Sequence, residues 1–334
     1  MRRKFCAHKI STLESRIENT KTSFDVCIIG AGPAGLSAAL WCNELGLRAV
    51  LLERRREIGG QLLWIHNKIE NHLGARAANG RELREQFAQQ IEEAKFDLRV
   101  GINIQNICLD KKRLEIADGE TIHARSVVIA TGLSRKTLGV LGEAEFAGRG
   151  MMESATGDRA SFAGRDVCVV GGGDSAVENA LLLAEVCRSV ALVHRGEALR
   201  ARPQFVKRLN NSPLVRVYLR SKIERIIGDE EVEAVRIVNS EGCAATELKA
   251  HGVLVRIGYE PNTKMFRGEL KLNAENYISV SNEGETNIRD VFAVGDVANP
   301  LAPTISGAVG AGATAAKVIA SRLTATTRTQ MILQ

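Results

Sequence analysis

Residues 25–40 read DVCIIGAGPAGLSAAL, and this stretch decides the fold. It places an apolar strand directly before the pattern GxGxxG and an apolar helix directly after it. In that context Gly30 permits the tight turn, Gly32 lets a pyrophosphate approach the backbone, and Gly35 lets the helix pack closely on the strand. The helix N-terminus presents free amides to the phosphates. The stretch therefore predicts the first βαβ unit of a dinucleotide-binding domain.

An acidic residue ends the next strand. The strand RAVLLE occupies 48–53 and ends at Glu53, 18 residues after Gly35. A carboxylate at that place accepts hydrogen bonds from the 2′- and 3′-hydroxyls of an unphosphorylated adenosine ribose. A turn of purely structural importance is the alternative, but the combination of strand, helix and terminal acid disfavours it.

The glycine pattern occurs a second time at 166–176, which read DVCVVGGGDSA. Gly171, Gly173 and Ala176 stand at the three glycine positions, and a helix (VENALLLAEVC) and a strand (SVALVH) follow. The residue 18 positions after Ala176 is His194 rather than an acid. A second dinucleotide site is predicted here, without the carboxylate that binds a ribose.

Basic residues take the place of that acid in HRGEALR, residues 194–200. Because no carboxylate repels it, a 2′-phosphate could be bound by Arg195 and Arg200, with His194 as a further ligand. We therefore interpret the first loop as an FAD site and the second as an NADP site. An exposed loop whose charges are incidental is the alternative for 194–200.

Composition and charge narrow the class of protein. The chain has 334 residues, of which 45% are hydrophobic and 25% charged, as expected for about two soluble domains. The net charge is +6, but residues 1–22 carry six Lys or Arg against two Glu, so the rest of the chain holds only +2. We expect a basic N-terminal extension over 1–22 and no binding of nucleic acid.

Location and redox state are predicted from what the sequence lacks. No apolar run approaches the roughly 18 residues of a membrane span, and no apolar segment of an export signal follows the two arginines near the start. The seven cysteines are odd in number and contain no CxxC pair. We expect a cytoplasmic protein with reduced thiols, no membrane association and no metal site.

Two further motifs accompany the first glycine loop. SVVIATG at 126–132 is an apolar strand that ends in a turn of small residues, and NIRDVFAVGDVA at 287–298 is a strand that ends at Gly295 and Asp296. In flavoproteins with two dinucleotide sites, such an acid holds the ribityl chain and such a glycine lets the backbone approach the pyrophosphate. Their order along the chain supports a flavin in the first site.

Together with GGQL, KIEN, GRGMMESATGD, VVGGGDSAVENALLL, HRGEALRA and IGYEPNT, these motifs resemble the low-molecular-weight thioredoxin reductases over about residues 24–322. The resemblance implies an α/β fold of two doubly wound Rossmann-type domains, the second inserted in the first, and a homodimer. It predicts an FAD-binding domain at 23–137 and 258–322, an NAD(P)-binding domain at 138–257 and a C-terminal tail at 323–334. LSRKTLGV and VRIGYEPN would be the two crossings between domains.

The resemblance also assigns residues to the cofactors. Gly60 and Gln61 would line the flavin, Asn71 would hydrogen-bond near the isoalloxazine, and Asp296 would hold the ribityl chain. The predicted FAD-binding residues are Gly30, Gly32, Pro33, Ala34, Gly35, Glu53, Gly60, Gln61, Asn71, Ala130, Thr131, Gly132, Gly295 and Asp296. The predicted NADP-binding residues are Gly171, Gly173, Asp174, Ser175, Ala176, His194, Arg195 and Arg200.

A short polar segment, ESATGDR at 153–159, departs from the family at its reactive position. The family has Cys-Ala-Thr-Cys-Asp where this chain has Ser154, Ala155, Thr156, Gly157 and Asp158. A hydroxyl and a hydrogen atom cannot form a disulfide, so dithiol chemistry is excluded at this position. Asp158, which in the family serves a thiolate, is better interpreted here as a turn or helix-capping residue.

Two other departures affect the nucleotide and the flavin. The family's His-Arg-Arg is His194-Arg195-Gly196 in this chain, which leaves the choice between NADP and NAD open. An Arg-Gln pair that covers the flavin in the family is replaced near Pro303 and Thr304.

Four functions are compatible with these observations. The favoured one is an NAD(P)H-oxidising flavoenzyme that passes electrons directly to an external acceptor, such as a ferredoxin- or flavodoxin-like protein or a quinone, as thioredoxin-reductase-like ferredoxin–NADP reductases do. The second is a disulfide reductase that uses other cysteines. The third is a non-catalytic flavin- and nucleotide-binding module, and the fourth holds another flavin in the second pocket.

Overall fold

The computed structural model describes residues 21–239 and 245–332. Most of the predicted basic extension, together with Cys6 and Cys243, lies outside the described residues. The first strand begins at Lys21.

The chain forms seventeen strands and six α-helices over the described ranges. The helices are α1 (Pro33–Glu44), α2 (Gly80–Glu92), α3 (Ala155–Asp158), α4 (Asp174–Ala184), α5 (Pro203–Asn210) and α6 (Ile305–Ile332). The strands are β1 (Lys21–Ile29), β2 (Ala49–Glu53), β3 (Asp97–Val100), β4 (Ile104–Cys108), β5 (Arg113–Ile116), β6 (Thr121–Ile129), β7 (Leu133–Arg135), β8 (Met151–Met152), β9 (Asp166–Val170), β10 (Ser189–Val193), β11 (Val215–Tyr218), β12 (Ser221–Gly228), β13 (Val232–Asn239), β14 (Ala245–Lys249), β15 (Gly252–Val255), β16 (Tyr259–Pro261) and β17 (Val291–Ala293).

The first sheet is built from two distant parts of the chain. Its order is β3-β2-β1-β6-β5-β4, and β17 also pairs with β6. The strands β3, β2, β1, β6 and β17 are parallel, whereas β4 and β5 return antiparallel. The apolar face of α1 and the first half of α6 pack on one side of this sheet. A Cβ on Gly312 would lie 2.2 Å from the Ala34 carbonyl oxygen, so the two helices approach closely because that position has no side chain.

The second sheet is parallel throughout, in the order β11-β10-β9-β15-β8. Its apolar strands are buried on both faces, as parallel sheets require. Helix α4 covers one face, and the antiparallel sheet β12-β13-β14 covers the other.

The two sheets are joined by a short antiparallel pair. Strand β7 leaves the first sheet and strand β16 returns to it, with Leu133 opposite Pro261 and Arg135 opposite Tyr259. The predicted fold of two Rossmann-type domains, the second inserted in the first, is confirmed. The exact domain boundaries remain predictions. Helix α6 extends as far as Ile332, into the residues predicted as a C-terminal tail.

Neither a membrane span nor a metal cluster is found in the part of the chain that the structure describes. None of its helices is both long and apolar enough to cross a membrane. No three His, Cys, Asp or Glu side chains come together there in a group that could hold a metal ion.

Candidate functional site

The three glycines of the first loop have different surroundings. Gly30 has a φ of 105°, and a Cβ on it would lie 2.5 Å from the Ala130 carbonyl oxygen. A Cβ on Gly35 would lie 1.8 Å from the Gly30 carbonyl oxygen. A Cβ on Gly32 would meet only the Gly60 Cα, at 3.8 Å. Protein atoms therefore fill the space beside the first and third glycines, whereas the second faces open space.

That open space is a cleft of about 730 Å³ at the carboxyl ends of the parallel strands. This is where open α/β sheets bind their ligands. The predicted residues that line it are Gly30, Gly32, Pro33, Ala34, Glu53, Gly60, Gln61, Ala130, Thr131, Gly132 and Asp296. The cleft is large enough for a dinucleotide, because small-molecule sites usually measure about 300–1,000 Å³.

Glu53 is buried at the end of β2 and is held by two backbone amides. Its Oε2 accepts a hydrogen bond from the Ala31 N–H at 2.7 Å, and its Oε1 accepts one from the Arg55 N–H at 2.8 Å. Each carboxylate oxygen keeps a second lone pair for another donor. The geometry fits an acid that receives hydrogen bonds from two ribose hydroxyls.

Asp296 also lines the cleft and is paired with Gln61. The Gln61 amide donates to Asp296 Oδ2 at 2.7 Å. Burial raises the pKa of Asp296, and the hydrogen bond from Gln61 opposes that shift. The Gln61 bond uses one oxygen of the carboxylate, so Oδ1 can accept a hydrogen bond from a hydroxyl-bearing ligand in the cleft.

Three predicted flavin residues lie outside the lining of this cleft. Gly35 packs helix against strand, and a Cβ on Gly295 would lie 2.9 Å from the Ala34 Cβ, so both serve close packing. Asn71 is exposed on a loop beyond the lining residues, and its contact with the isoalloxazine stays a prediction. Pro303 and Thr304, where the family's flavin-covering pair is replaced, do line the cleft.

Asn262 ties the two chain crossings together, a role that sequence reasoning missed. Its side-chain amide donates to the Thr131 carbonyl at 2.7 Å, and the Thr131 hydroxyl donates to the Asn262 carbonyl at 2.9 Å. The Ser134 hydroxyl donates to Asn262 Oδ1 at 2.7 Å. The motif IGYEPNT contains this residue, but only the fold shows that its partner is the turn after β6.

Trp64 is a second residue that sequence reasoning missed. Its ring lines the cleft, and the guanidinium groups of Arg55 and Arg135 lie 4.7 Å and 5.8 Å from its centroid. Arginine is attracted to the face of an indole ring at such distances. The tryptophan that ends GGQLLW is the sequence signal that could have indicated an aromatic residue in the lining of the cleft.

The second glycine loop repeats the geometry of the first. Gly171 has a φ of 150°, and a Cβ on it would lie 2.2 Å from the Arg256 carbonyl oxygen. A Cβ on Gly173 would meet nothing within 4 Å. Ala176, at the third position, is fully buried. Open space therefore again lies beside the second glycine of the pattern.

The His194 side chain packs against this loop. The imidazole is buried, and a Cβ on Gly172 would lie 2.3 Å from His194 Cε1. A Cβ on Gly196 would lie 2.7 Å from His194 Nε2. Burial lowers the pKa of His194, and the positive charges of Arg200 and Arg195 lower it further. Its contact with a 2′-phosphate stays a prediction.

The remaining predicted nucleotide residues lie around the loop. Arg195 and Arg200 are exposed beside it, and the Arg200 N–H donates to the Gly172 carbonyl at 2.7 Å. Asp174 begins α4 and accepts from the Arg202 N–H and from Arg202 Nε, both at 2.7 Å. Its negative charge is thereby offset, which favours an anion at this helix N-terminus. Ser175 is exposed in the first turn of α4.

The segment 153–159 forms the capped helix α3. The Ser154 hydroxyl accepts a hydrogen bond from the Gly157 N–H at 3.2 Å. Asp158 Oδ2 accepts from the Glu153 and Ser154 N–H groups at 2.8 Å and 2.9 Å. These are the reciprocal contacts of a helix N-cap, so Asp158 has a structural partner in the absence of any thiolate.

A histidine lies where a side chain at position 157 would have to go. A Cβ on Gly157 would be 3.0 Å from His66 Cε1 and 3.1 Å from His66 Nδ1. Next to this contact, the Thr156 hydroxyl donates to Asn67 Oδ1 at 3.1 Å. Helix α3 is therefore held against the loop that follows the GGQL motif.

Four of the five described cysteines are unsuited to thiol chemistry. Cys27, Cys42, Cys108, Cys168 and Cys187 are all free. Burial raises the pKa of Cys27, Cys42 and Cys168 to about 12 and that of Cys187 to about 11. Because the thiolate is the reactive form, these four thiols are inert near pH 7.

Comparisons with known proteins agree with this geometry. A family model described as pyridine nucleotide-disulphide oxidoreductase matches residues 24–315. The chain is 34% identical over 294 residues to the "34.2 kDa protein in rubredoxin operon" of Clostridium pasteurianum, covering 87% of this chain and 94% of that protein. It is 36% identical over 283 residues to a thioredoxin reductase of Peptoclostridium acidaminophilum, covering 82% and 89%. The crystal structure of Lactococcus lactis thioredoxin reductase (FR conformation) superposes with a TM-score of 0.75 at 31% identity, covering 89% of this chain and 97% of that one.

Proposed function

The chain belongs to the pyridine nucleotide-disulphide oxidoreductase family, as a thioredoxin reductase-like flavoprotein, and from this premise we propose that it passes electrons from NAD(P)H through FAD directly to an external acceptor. The proposal differs in one respect from the activity named for its thioredoxin reductase relatives: no redox disulfide takes part.

One observation carries the proposal. By the resemblance, Ser154 and Gly157 stand where the family has its cysteine pair. The side chains of Ser154 and Asp158 accept hydrogen bonds from backbone amides and so cap helix α3. The four buried cysteines with raised pKa values offer no substitute among the described residues. On this proposal, electrons leave the flavin without a protein thiol as intermediate.

The residues of the first cleft fit FAD. Gly32 would leave room for a pyrophosphate, Glu53 would present two oxygens to a ribose, and Asp296 would present one to the ribityl chain. FAD supplies a centre that accepts a hydride and releases electrons singly or in pairs. The protein would bind and orient it in this cleft, which Pro303 and Thr304 also line.

The second loop fits a pyridine nucleotide, and we propose that NADPH is preferred. Arg195 and Arg200 are exposed beside the loop, where a 2′-phosphate would lie. Losing one charge-assisted phosphate contact costs about 1.5–3 kcal/mol, or roughly 10- to 150-fold in affinity. Arg195→Ala should therefore weaken NADPH binding by that factor and leave NADH unchanged. An equal loss for both nucleotides would contradict the 2′-phosphate interpretation.

The acceptor is proposed by class: a ferredoxin- or flavodoxin-like protein, a quinone or another small molecule. We also propose a cytoplasmic homodimer. The competing functions differ in measurable ways. A non-catalytic module, or a protein with a second flavin in the nucleotide pocket, would not lose its flavin absorbance when NADPH is added. A reductase that uses other cysteines would lose its acceptor activity after thiol alkylation.

Anaerobic titration tests the proposed function. NADPH and NADH are added separately to the purified yellow protein, and flavin absorbance is followed before and after iodoacetamide. We expect NADPH to bleach the flavin in both preparations, and a panel of acceptors to restore the absorbance. A flavin that neither nucleotide reduces would contradict the proposal.

A further inference from the structure

Two arginines converge on one backbone oxygen at the junction between the two domains. Arg135 Nη1 and Arg256 Nη2 both donate to the Glu153 carbonyl, the latter at 2.8 Å. Arg256 Nη1 also donates to the Val255 carbonyl at 2.8 Å. Two guanidinium groups that share one acceptor atom are necessarily close neighbours of like charge.

Neither arginine has an anionic partner in the part of the chain that the structure describes. No carboxylate oxygen there lies within 4 Å of either guanidinium group. Asp158 attracts Arg256 from farther away, but its Oδ2 already accepts two backbone amides. Burial and the charge of Arg135 lower the pKa of Arg256 to about 10, so it still carries its charge at pH 7. A half-buried charge of this kind favours an anion beside it.

The position of the pair indicates where that anion comes from. Arg256 directly follows β15, and Glu153 directly follows β8, so both lie at the carboxyl edge of the second sheet. The Arg256 N–H donates to the Val170 carbonyl at 2.7 Å. The Arg256 carbonyl oxygen lies so close to Gly171 that a Cβ there would be 2.2 Å from it. Strands β9 and β15 are neighbours but far apart in sequence, which makes this the topological switch point where such sheets bind ligands.

His194 and the 2′-phosphate candidates follow β10, on the opposite side of β9. The pair therefore lies on the side of the loop that is remote from the adenosine half of a bound nucleotide. Arg135 also lies against Trp64 in the wall of the flavin cleft, 5.8 Å from its ring centroid. The two guanidinium groups thus stand between the glycine loop and the flavin cleft.

We propose that Arg135 and Arg256 form an oxyanion-binding pair that receives a phosphate of the bound pyridine nucleotide from its nicotinamide side. This rests on the proposed function, because it assumes that the second loop binds NAD(P)H. NADH and NADPH share the phosphates of that half, so the pair promotes binding of both. The planar forks of two arginines match phosphate or carboxylate oxygens, and an anionic acceptor is the other source of the same chemistry.

Calorimetric titration with NADP⁺ and NAD⁺, which do not reduce the flavin, tests the pair. Arg256→Met keeps much of the side-chain length and removes the charge. We expect it to weaken both nucleotides by the same factor, roughly 10- to 150-fold, the usual effect of one charge-assisted contact. Arg256→Lys should recover part of that loss. Arg195→Ala, by contrast, should affect NADP⁺ alone.

Arg149→Met is the matched control. Arg149 also donates only to backbone carbonyls, those of Glu230 and Glu145 at 2.8 Å each, but it lies away from the glycine loop. Its replacement should leave both affinities within about twofold of the wild type. Inorganic pyrophosphate is titrated into the same proteins as a probe that is independent of any redox reaction.

Acceptor kinetics distinguish the two possible sources of the anion, the nucleotide and the electron acceptor. If the anion belongs to the acceptor, Arg256→Met will raise the KM for ferricyanide, leave the KM for a neutral quinone unchanged and leave both nucleotide affinities intact. If nucleotide, pyrophosphate and ferricyanide all behave as in the wild type, the inference is wrong and the arginines only hold Glu153. A wild-type protein that binds pyrophosphate through Arg256 but no pyridine nucleotide would instead overturn the proposed function.

Discussion

Gly32 and Gly35 stand three residues apart, yet their hydrogen side chains serve different purposes. A Cβ on Gly35 would collide with the Gly30 carbonyl oxygen at 1.8 Å, whereas a Cβ on Gly32 would meet only one atom, at an ordinary 3.8 Å. Glycine is required at position 35 by the packing of the protein itself. The requirement for glycine at position 32 would come from a ligand bound in the cleft, because the protein itself leaves room there for a side chain.

This difference predicts opposite behaviour for two substitutions. Gly32→Val should fold with a melting temperature close to that of the wild-type apoprotein but bind no flavin, since its side chain occupies the space of the pyrophosphate. Gly35→Ala should fold poorly, because overpacking of this kind typically costs about 1–3 kcal/mol or more. Circular dichroism and the ratio of flavin to protein are the measurements. A fully flavin-loaded Gly32→Val protein would contradict the assignment of this loop.

Gly157 and His66 form a second pair in which one residue limits the other. A Cβ at 157 would lie 3.0–3.1 Å from two imidazole atoms, closer than most real Cβ contacts. Gly157→Ala should therefore reduce the free energy of unfolding in the wild-type background, and this loss should disappear in a His66→Ala background. Residues in contact typically show coupling of about 0.5–3 kcal/mol.

A double-mutant cycle on denaturant unfolding measures that coupling. His72→Ala serves as the control, because His72 lies on the same loop but bonds to Ser306. Strictly additive effects of the Gly157 and His66 substitutions would show that the imidazole moves aside at no cost.

Among secondary-structure elements, the start of β9 is fixed by an ion pair at the edge of the second sheet. Asp166 accepts from Arg188 Nε at 2.8 Å and from the Ser189 hydroxyl at 2.7 Å, which joins β9 to the start of β10. The Arg188 hydrogen bond lowers the pKa of Asp166 to about 2, from an ordinary value of 3.8. A carboxylate with a lowered folded-state pKa stabilises the protein above its unfolded pKa and loses that effect as pH falls toward the folded value.

Asp166→Asn should therefore lower the melting temperature by roughly 2–4 °C at neutral pH. Because Arg188 is largely exposed, solvent screening keeps the effect modest. The difference from the wild type should stay constant between about pH 7 and pH 5 and shrink as the pH falls below about 4. Thermal melts across this range are the measurement. A difference that grows in acid would mean that the carboxylate is not stabilised by Arg188.

The elements that sequence reasoning predicted are those whose cause is local. Both strand–glycine–helix units, Glu53 at the end of β2 and the chain crossings follow from spacing and residue type. The role of Asn262 depends on a partner 131 positions earlier in the chain, and no local pattern reveals it. The same holds for His194, whose position after β10 suggested a phosphate ligand, whereas its packing under Gly172 and Gly196 depends on how the loop folds over it.

At the scale of the whole molecule, the cleft that we propose as the flavin site belongs to one of the two predicted domains only. All of the described residues that line it lie outside 135–258. The nucleotide domain meets the flavin domain instead through α3, by the Thr156–Asn67 hydrogen bond and the contact of Gly157 with His66. The segment that matches the family's thiol-bearing motif in the sequence resemblance is thus a structural contact between the two proposed domains.

That change predicts the reactivity of the intact enzyme. With NADPH it should reduce a one-electron acceptor such as ferricyanide and fail to reduce thioredoxin. Ser154→Ala should change the ferricyanide rate by less than about threefold, because the hydroxyl transfers no proton, whereas a positioned acid–base group contributes about 10²-fold or more. The same substitution should lower stability by about 0.5–2 kcal/mol, since Ser154 caps α3. Steady-state rates and denaturant unfolding on one preparation separate the two effects. NADPH-dependent reduction of a protein disulfide that iodoacetamide abolishes would show that other cysteines, among them Cys6 and Cys243 outside the described residues, carry electrons after all.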